Sequence, residues 1–244
     1  MIRFHRRFEP DSIRLLIFDL DGTLIDSRLD LIHSVNATLR HFARPELAGE
    51  VIASYVGDGA PALVRRALGR DGDDEDDEEL FRQALEYFLG YYRMHKLDHT
   101  TVYDGIAETL AALTRDSRRA EPGERVPIRL MAVLSNKPVR PSQDIVQALG
   151  LGSYFVRVYG GNSFPTKKPD PLGVRTLLEE TGVQARQALM IGDSSIDVLT
   201  GRNAGTWTCG VTYGFAPHTL AGVEPDVVVE EPRELRELFS ALGV

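Results

Sequence analysis

The 244-residue chain has a single cysteine, Cys209, so no internal disulfide is possible and a reducing compartment is expected. No histidine motif points to Cys209, which reads as a small buried residue rather than a nucleophile. Long apolar runs are also missing. The stretch Leu15-Leu16-Ile17-Phe18 is far too short to cross a bilayer. The basic start, with Arg3, Arg6 and Arg7, lacks the apolar core of a signal peptide and reads as a ragged end. A cytoplasmic protein with no membrane partner is therefore expected. No basic stripe is interleaved with aromatics, which argues against nucleic acid as a partner. Internal repeats are absent as well.

One sign of charge is in excess, but locally. The formal net charge is −8, and Asp71, Asp73, Asp74, Glu75, Asp76, Asp77, Glu78 and Glu79 alone supply eight negative charges. Without them 28 acids stand against 28 bases. Such a run is a solvated loop and helix start in the first instance. It is not a calcium loop of the EF-hand kind, because glycine at the sixth position and glutamate at the twelfth are replaced by Asp76 and Arg82.

The length suffices for one large α/β domain and a smaller one, and 43% hydrophobic residues fit an ordinary globular chain. The chemistry gathers at the ends of apolar runs. Leu15 to Phe18 leads directly into Asp19-Leu20-Asp21-Gly22-Thr23-Leu24, a buried strand ending in a loop with two carboxylates. Leu130 to Leu134 leads into Ser135-Asn136-Lys137-Pro138. Ala188 to Ile191 leads into Gly192-Asp193-Ser194-Ser195-Ile196-Asp197, and Thr166-Lys167-Lys168-Pro169-Asp170-Pro171 lies between them. In open α/β sheets ligands bind in the crevice beyond the carboxyl ends of the strands. Singly, Lys168 reads as a surface lysine, Ser135 as a helix cap, and Asp193 and Asp197 as first-turn acids. Their order at successive strand ends favours a catalytic site.

Together these residues resemble the four signature motifs of the haloacid dehalogenase superfamily of phosphohydrolases: Asp19 to Thr23, Ser135, Lys168, and Gly192-Asp193 with Asp197. Within it the closest resemblance is to the phosphoglycolate phosphatases, through Tyr55-Val56-Gly57-Asp58-Gly59 with Arg66-Ala67-Leu68, Ser135 to Pro138, and Val211-Thr212-Tyr213-Gly214-Phe215. The resemblance implies a Rossmann-like parallel sheet covered by helices on both faces, with an inserted helical-bundle cap. It implies that Asp19 attacks phosphorus to form an aspartyl-phosphate and that Asp21 serves as acid and then base. It implies Mg²⁺ bound by the Asp19 and Asp193 carboxylates and the Asp21 carbonyl, with Asp197 in support. Charge arithmetic agrees: Asp19, Asp193, Asp197 and a bound dianion bring roughly five negative charges against the single Lys168. Backbone N–H groups around Leu20, Gly22 and Thr23, and near Asn136, are expected to cradle the phosphate. Arg66 is expected to meet a substrate carboxylate.

Between the first two motifs the chain shows helical rather than strand patterning. Ile32, Val35, Leu39 and Phe42 share one face, Leu63 to Leu68 form a second run, and Leu80, Ala84, Phe88 and Tyr91 a third. The division expected is 1–25 core, 26–100 helical cap and 101–244 core, with hinges near 25–27 and 99–104. Asp116 to Pro127 reads as a polar loop. Strands are expected at 154–159, 207–212 and 226–229, and helices from Pro171, from Ser194 and from Pro232 to about Leu242. The expected activity is Mg²⁺-dependent hydrolysis of a small phosphorylated metabolite, 2-phosphoglycolate first, by a monomer or homodimer. Alternatives are a sugar phosphomutase, a phosphatase of other metabolites or nucleotides, and, from another class, a non-catalytic aspartate phospho-receiver.

Overall fold

The computed structural model describes residues 1–7, 9–69, 75–115, 117–119, 125–127 and 129–240. In chain order the strands are β1 (Arg3–Phe4), β2 (Leu15–Phe18), β3 (Ile25–Asp26), β4 (Thr101–Val102), β5 (Ser117–Arg119), β6 (Arg125–Pro127), β7 (Leu130–Leu134), β8 (Arg157–Tyr159), β9 (Ala188–Gly192), β10 (Trp207–Val211) and β11 (Val227–Val229). The α-helices are α1 (Arg28–His41), α2 (Gly49–Ser54), α3 (Ala60–Ala67), α4 (Glu75–His95), α5 (Ile106–Arg115), α6 (Val139–Ala148), α7 (Leu172–Thr181), α8 (Ser195–Ala204) and α9 (Pro232–Ser240).

Every residue of β2 is apolar and buried, as a central strand covered on both faces requires. The main sheet runs β1-β11-β10-β9-β2-β7-β8, parallel except for β1. Side-chain alternation sorts the strands into two cores. Leu16, Phe18, Met131, Val133, Leu189 and Ile191 meet α5, α6 and α9 on one face, through Ile106, Ile145 and Leu235 among others. Leu15, Ile17, Ala132, Leu134, Ala188 and Met190 meet Val174 and Leu177 of α7 on the other. This is the Rossmann-like α/β architecture expected.

The register positions the chemistry. Phe18 lies beside Val133 of β7 and Ile191 of β9, so three strands finish level with one another. The chain leaves β2 toward β7 on one side and returns through β9 on the other. Their following loops therefore open into one crevice at the switch point of the sheet.

β3 and β4 pair antiparallel, and the residues between them form a four-helix bundle with its own core. The neck is tied by Asp30, whose buried carboxylate accepts from His99 N (2.9 Å), Thr100 N (2.9 Å) and Thr100 Oγ1 (2.7 Å). The apolar face of α4 differs from the one expected. The buried stripe is Phe81, Ala84, Phe88 and Tyr92, while Leu80 and Tyr91 are only partly buried at its margins. The rotation packs Phe81 into the bundle and turns Tyr92 toward the sheet domain.

Three other expectations change. Arg3 and Phe4 are not a ragged end: they pair with Val228 and Val227, and Arg6 binds the buried Asp226 at 2.9 Å. The strand expected over 154–159 is confined to β8, because residues 152–154 take a 3-10 turn. Within the expected polar loop, β5 and β6 pair as a short hairpin, and residues 116 and 120–124 lie outside the described residues. So do residues 71–74 of the acidic run; from Glu75 the run is already α4. The closing helix is described to Ser240; residues 241 and 242 lie outside. Among the described residues no helix is long and apolar enough to cross a membrane.

Candidate active site

Immediately after β2 the backbone folds back on itself. The Leu20 carbonyl accepts from Leu24 N (2.9 Å) and Ile25 N (3.1 Å), and Gly22 N donates to the Ile25 carbonyl at 2.9 Å. Gly22 stands at φ +82°, and a Cβ there would run into the Asp193 carboxylate. Only glycine combines this left-handed conformation with so close an approach. The turn sets Asp19 and Asp21 into the crevice, while Leu20 and Thr23 point into the core.

Lys168 bridges Asp19 and Asp197. Its Nζ donates to Asp197 Oδ1 at 2.6 Å and stands 2.7 Å from Asp19 Oδ1. The second contact is an ion pair outside hydrogen-bonding geometry, so Asp19 Oδ1 is buried with no hydrogen-bond donor. Asp197 has a second task. Its Oδ2 accepts from Ser194 N (3.2 Å) and Oγ (2.7 Å), closing a capping box that starts α8. Asp193 accepts from Phe215 N at 2.5 Å and Ala216 N at 3.0 Å, so the loop after β10 fixes it.

Burial and crowding set the charges. Desolvation pushes Asp19 up to about 6, Lys168 opposing and Asp197 adding to the shift. Asp193 is pushed up to about 7, by burial first and then by Asp197 and Asp19. Burial works against the charge of Lys168, but Asp19 and Asp197 outweigh it and hold the ammonium above its ordinary range.

These residues fit a divalent cation. Carboxylate oxygens of Asp19, Asp193 and Asp197 lie within 4.8 Å of one another, and one of the Asp19 oxygens has no donor. Three buried carboxylates against one lysine leave negative charge uncompensated. Hard oxygen donors of this kind suit Mg²⁺.

On the other side of the crevice, Ser135 follows β7, and its Oγ accepts from Lys137 N at 3.3 Å. Asn136 joins the two halves of the molecule, its Nδ2 donating to Gly57 O (3.0 Å) in the bundle and Lys168 O (3.1 Å). Arg66 is not brought among these residues. It is bound on the bundle to Asp58 Oδ2 (2.5 Å) and the Tyr55 carbonyl (3.1 Å), outside the crevice lining.

Three residues to which the sequence assigned no role in the site enter instead. Lys137 Nζ donates to both Asp21 oxygens at 2.9 Å, and Ser27 Oγ donates to Asp21 Oδ1 at 2.5 Å. Tyr92 packs its ring 4.7 Å from Lys137 Nζ. Lys137 had one available signal: a lysine directly beyond an apolar strand, in the segment already marked by Ser135. Tyr92 had none beyond its helical phase.

Comparison with known proteins adds a family. The model of the haloacid dehalogenase-like hydrolases matches residues 16–211. A phosphoglycolate phosphatase of Vibrio vulnificus is 36% identical over 232 residues, covering 93% of this chain and 96% of that one. One from Pseudomonas fluorescens is 37% identical over 239 residues, covering 96% and 83%. A crystal structure described as a predicted phosphoglycolate phosphatase from Haemophilus somnus superposes with a TM-score of 0.82 at 29% identity, over 93% of this chain and 98% of that one.

Proposed function

The chain belongs to the haloacid dehalogenase-like hydrolase family, as a hydrolase acting on phosphoric monoesters, and we propose that its substrate is 2-phosphoglycolate, cleaved with Mg²⁺ through an aspartyl-phosphate on Asp19. The observation that carries this reading is the grouping of Asp19, Asp193 and Asp197 in one buried cluster, with Lys168 paired to Asp19 and Asp197. The names of the relatives in Vibrio vulnificus and Pseudomonas fluorescens support the substrate.

In this reading an Asp19 oxygen attacks phosphorus in line, forming a P–O bond as the ester P–O bond breaks. Asp21 gives its proton to the departing alkoxide. As a carboxylate it then takes a proton from the water that hydrolyses the phosphoaspartate, so both residues return to their starting state. Lys168 keeps Asp19 ionised and offsets the charge of the phosphoryl oxygens, and the Ser135 hydroxyl donates to one of them. The Asp19 and Asp193 carboxylates and the Asp21 carbonyl would hold Mg²⁺, which supplies the charge neutralisation that one lysine cannot. Residues 26–100 act as a cap that excludes water and selects the substrate.

The test is phosphate release from a panel of small phosphomonoesters, with and without Mg²⁺, compared by kcat/KM. The reading expects 2-phosphoglycolate to exceed sugar phosphates and nucleotides by ~10²-fold or more, and Asp19→Asn to abolish turnover. Flat, slow turnover across the panel would remove the substrate assignment. Absence of turnover would remove the hydrolytic reading.

A further inference from the structure

The crevice has one charged position that meets the phosphoryl chemistry only through Asp21. Among its described lining residues the cations are Lys168 and Lys137. Lys168 is committed to Asp19 and Asp197. Lys137 is 6% exposed, and of its three ammonium protons Asp21 takes at most two. Above it stands Tyr92 of α4, 3% exposed, whose hydroxyl is buried and has no hydrogen-bond partner. A buried unpartnered hydroxyl is costly unless something fills it. The walls around the pair are apolar: Leu31, Leu63, Phe88 and Leu89.

We propose that Lys137 and Tyr92 form the subsite for the carboxylate of the substrate, making them the residues that select a short phosphorylated acid. The inference rests on the substrate reading given above. An ammonium with a spare proton and a hydroxyl free to donate together offer two donors to one anion, the complement of a carboxylate. Distance restricts the chain length. Lys137 Nζ is 2.9 Å from the Asp21 oxygens. An oxygen hydrogen-bonded to Asp21 is the departing ester oxygen, and in a two-carbon acid the carboxyl carbon lies two single bonds from it, about 2.5 Å. A cation adjoining the acid is therefore adjacent to a carboxylate on the next carbon, and not to one at the end of a longer chain.

The test compares 2-phosphoglycolate with ethyl phosphate, which has the same two carbons and no carboxylate, in the wild type, Lys137→Met and Tyr92→Phe. The ratio of kcat/KM for the two substrates is expected to fall ~10²-fold in Lys137→Met and ~10-fold in Tyr92→Phe, with KM for 2-phosphoglycolate rising. Tyr92→Phe removes only an unpartnered hydroxyl, so it reports even if the lysine variant fails to fold. A wild type that prefers 2-phosphoglycolate, with variants that keep that preference within ~3-fold, overturns this subsite while leaving the substrate reading intact. A wild type that shows no preference for 2-phosphoglycolate over ethyl phosphate overturns the substrate reading and this inference together.

Discussion

Lys168→Met removes the one cation among the described residues that touches both Asp19 and Asp197, at 2.7 and 2.6 Å, from a site where all three side chains are nearly inaccessible. Methionine matches the lysine stem in length, so the change is chiefly one of charge. Breaking a buried ion cluster by deleting one partner destabilises by about 3–5 kcal/mol, because the remaining charges stay buried without compensation. That figure applies only while the carboxylates are ionised. Even with Lys168 present, Asp19 is pushed up to about 6 and Asp193 to about 7. A carboxylate whose folded pKa lies above its unfolded value of about 4 binds its proton more tightly when folded. Its penalty is absent at low pH, grows as pH climbs past the unfolded value, and is complete above the folded one.

The deficit of Lys168→Met should therefore be small near pH 5, where Asp19 and Asp193 can protonate, and full near pH 8. Urea unfolding of both proteins with EDTA at the two pH values measures it directly. A deficit above ~3 kcal/mol at pH 8, falling to about 1 kcal/mol at pH 5, is the expected result. Equal deficits at both pH values would refute the account, since the loss would then come from packing rather than charge. So would a deficit below ~1 kcal/mol at pH 8, which would mean that the cluster is far better hydrated than its burial implies.

The same carboxylates make the response to Mg²⁺ pH-dependent: the rise in thermal midpoint on adding it should be larger at pH 8 than at pH 5, because the ligands must first lose their protons. Gly22→Ala combines a strained φ of +82° with a collision at Asp193, and a ~10²-fold fall in kcat is expected in steady-state assay, with the secondary structure unchanged by circular dichroism. Asp30→Ala leaves His99 N, Thr100 N and Thr100 Oγ1 without their acceptor and should lower unfolding free energy by ~3 kcal/mol in urea. Arg66→Ala breaks an exposed pair with Asp58 outside the crevice lining, so kcat/KM for 2-phosphoglycolate should change by less than ~5-fold. A ~10²-fold loss would instead put Arg66 on the substrate.

What could be read in the sequence is what local chain chemistry determines. The runs 15–18, 130–134 and 188–191 are apolar enough to be central strands, and the strand-end rule then delivers Asp19, Ser135 and Asp193 to one crevice. Asp197 follows from the helix start at Ser194, as the third residue of α8. β1 escaped the reading because two residues carry no periodicity; they are held by pairing with β11, more than two hundred positions away. The phase of α4 escaped it for a related reason. Stripes through Leu80 and Phe81 both satisfy helical spacing, and only the bundle around them decides which is buried.

The cationic residues of the site divide along the same line. Lys168 could be assigned because its motif fixes its role. Arg66 ranks above Lys137 in the sequence, although each is a single charge whose meaning depends on its partner. Asp58 lies eight residues from Arg66, close enough to hold it by a local contact on the bundle. Asp21 lies 116 residues from Lys137, and only the parallel pairing of β2 with β7 brings them to 2.9 Å. Once that pairing is known, the ranking reverses. An arginine already paired at the surface gains little by moving to a substrate, whereas a buried ammonium with a spare proton beside an unpartnered Tyr92 hydroxyl gains by binding an anion. Selectivity in this crevice is thus a property of the contact between the bundle and the sheet domain, with one donor on each side.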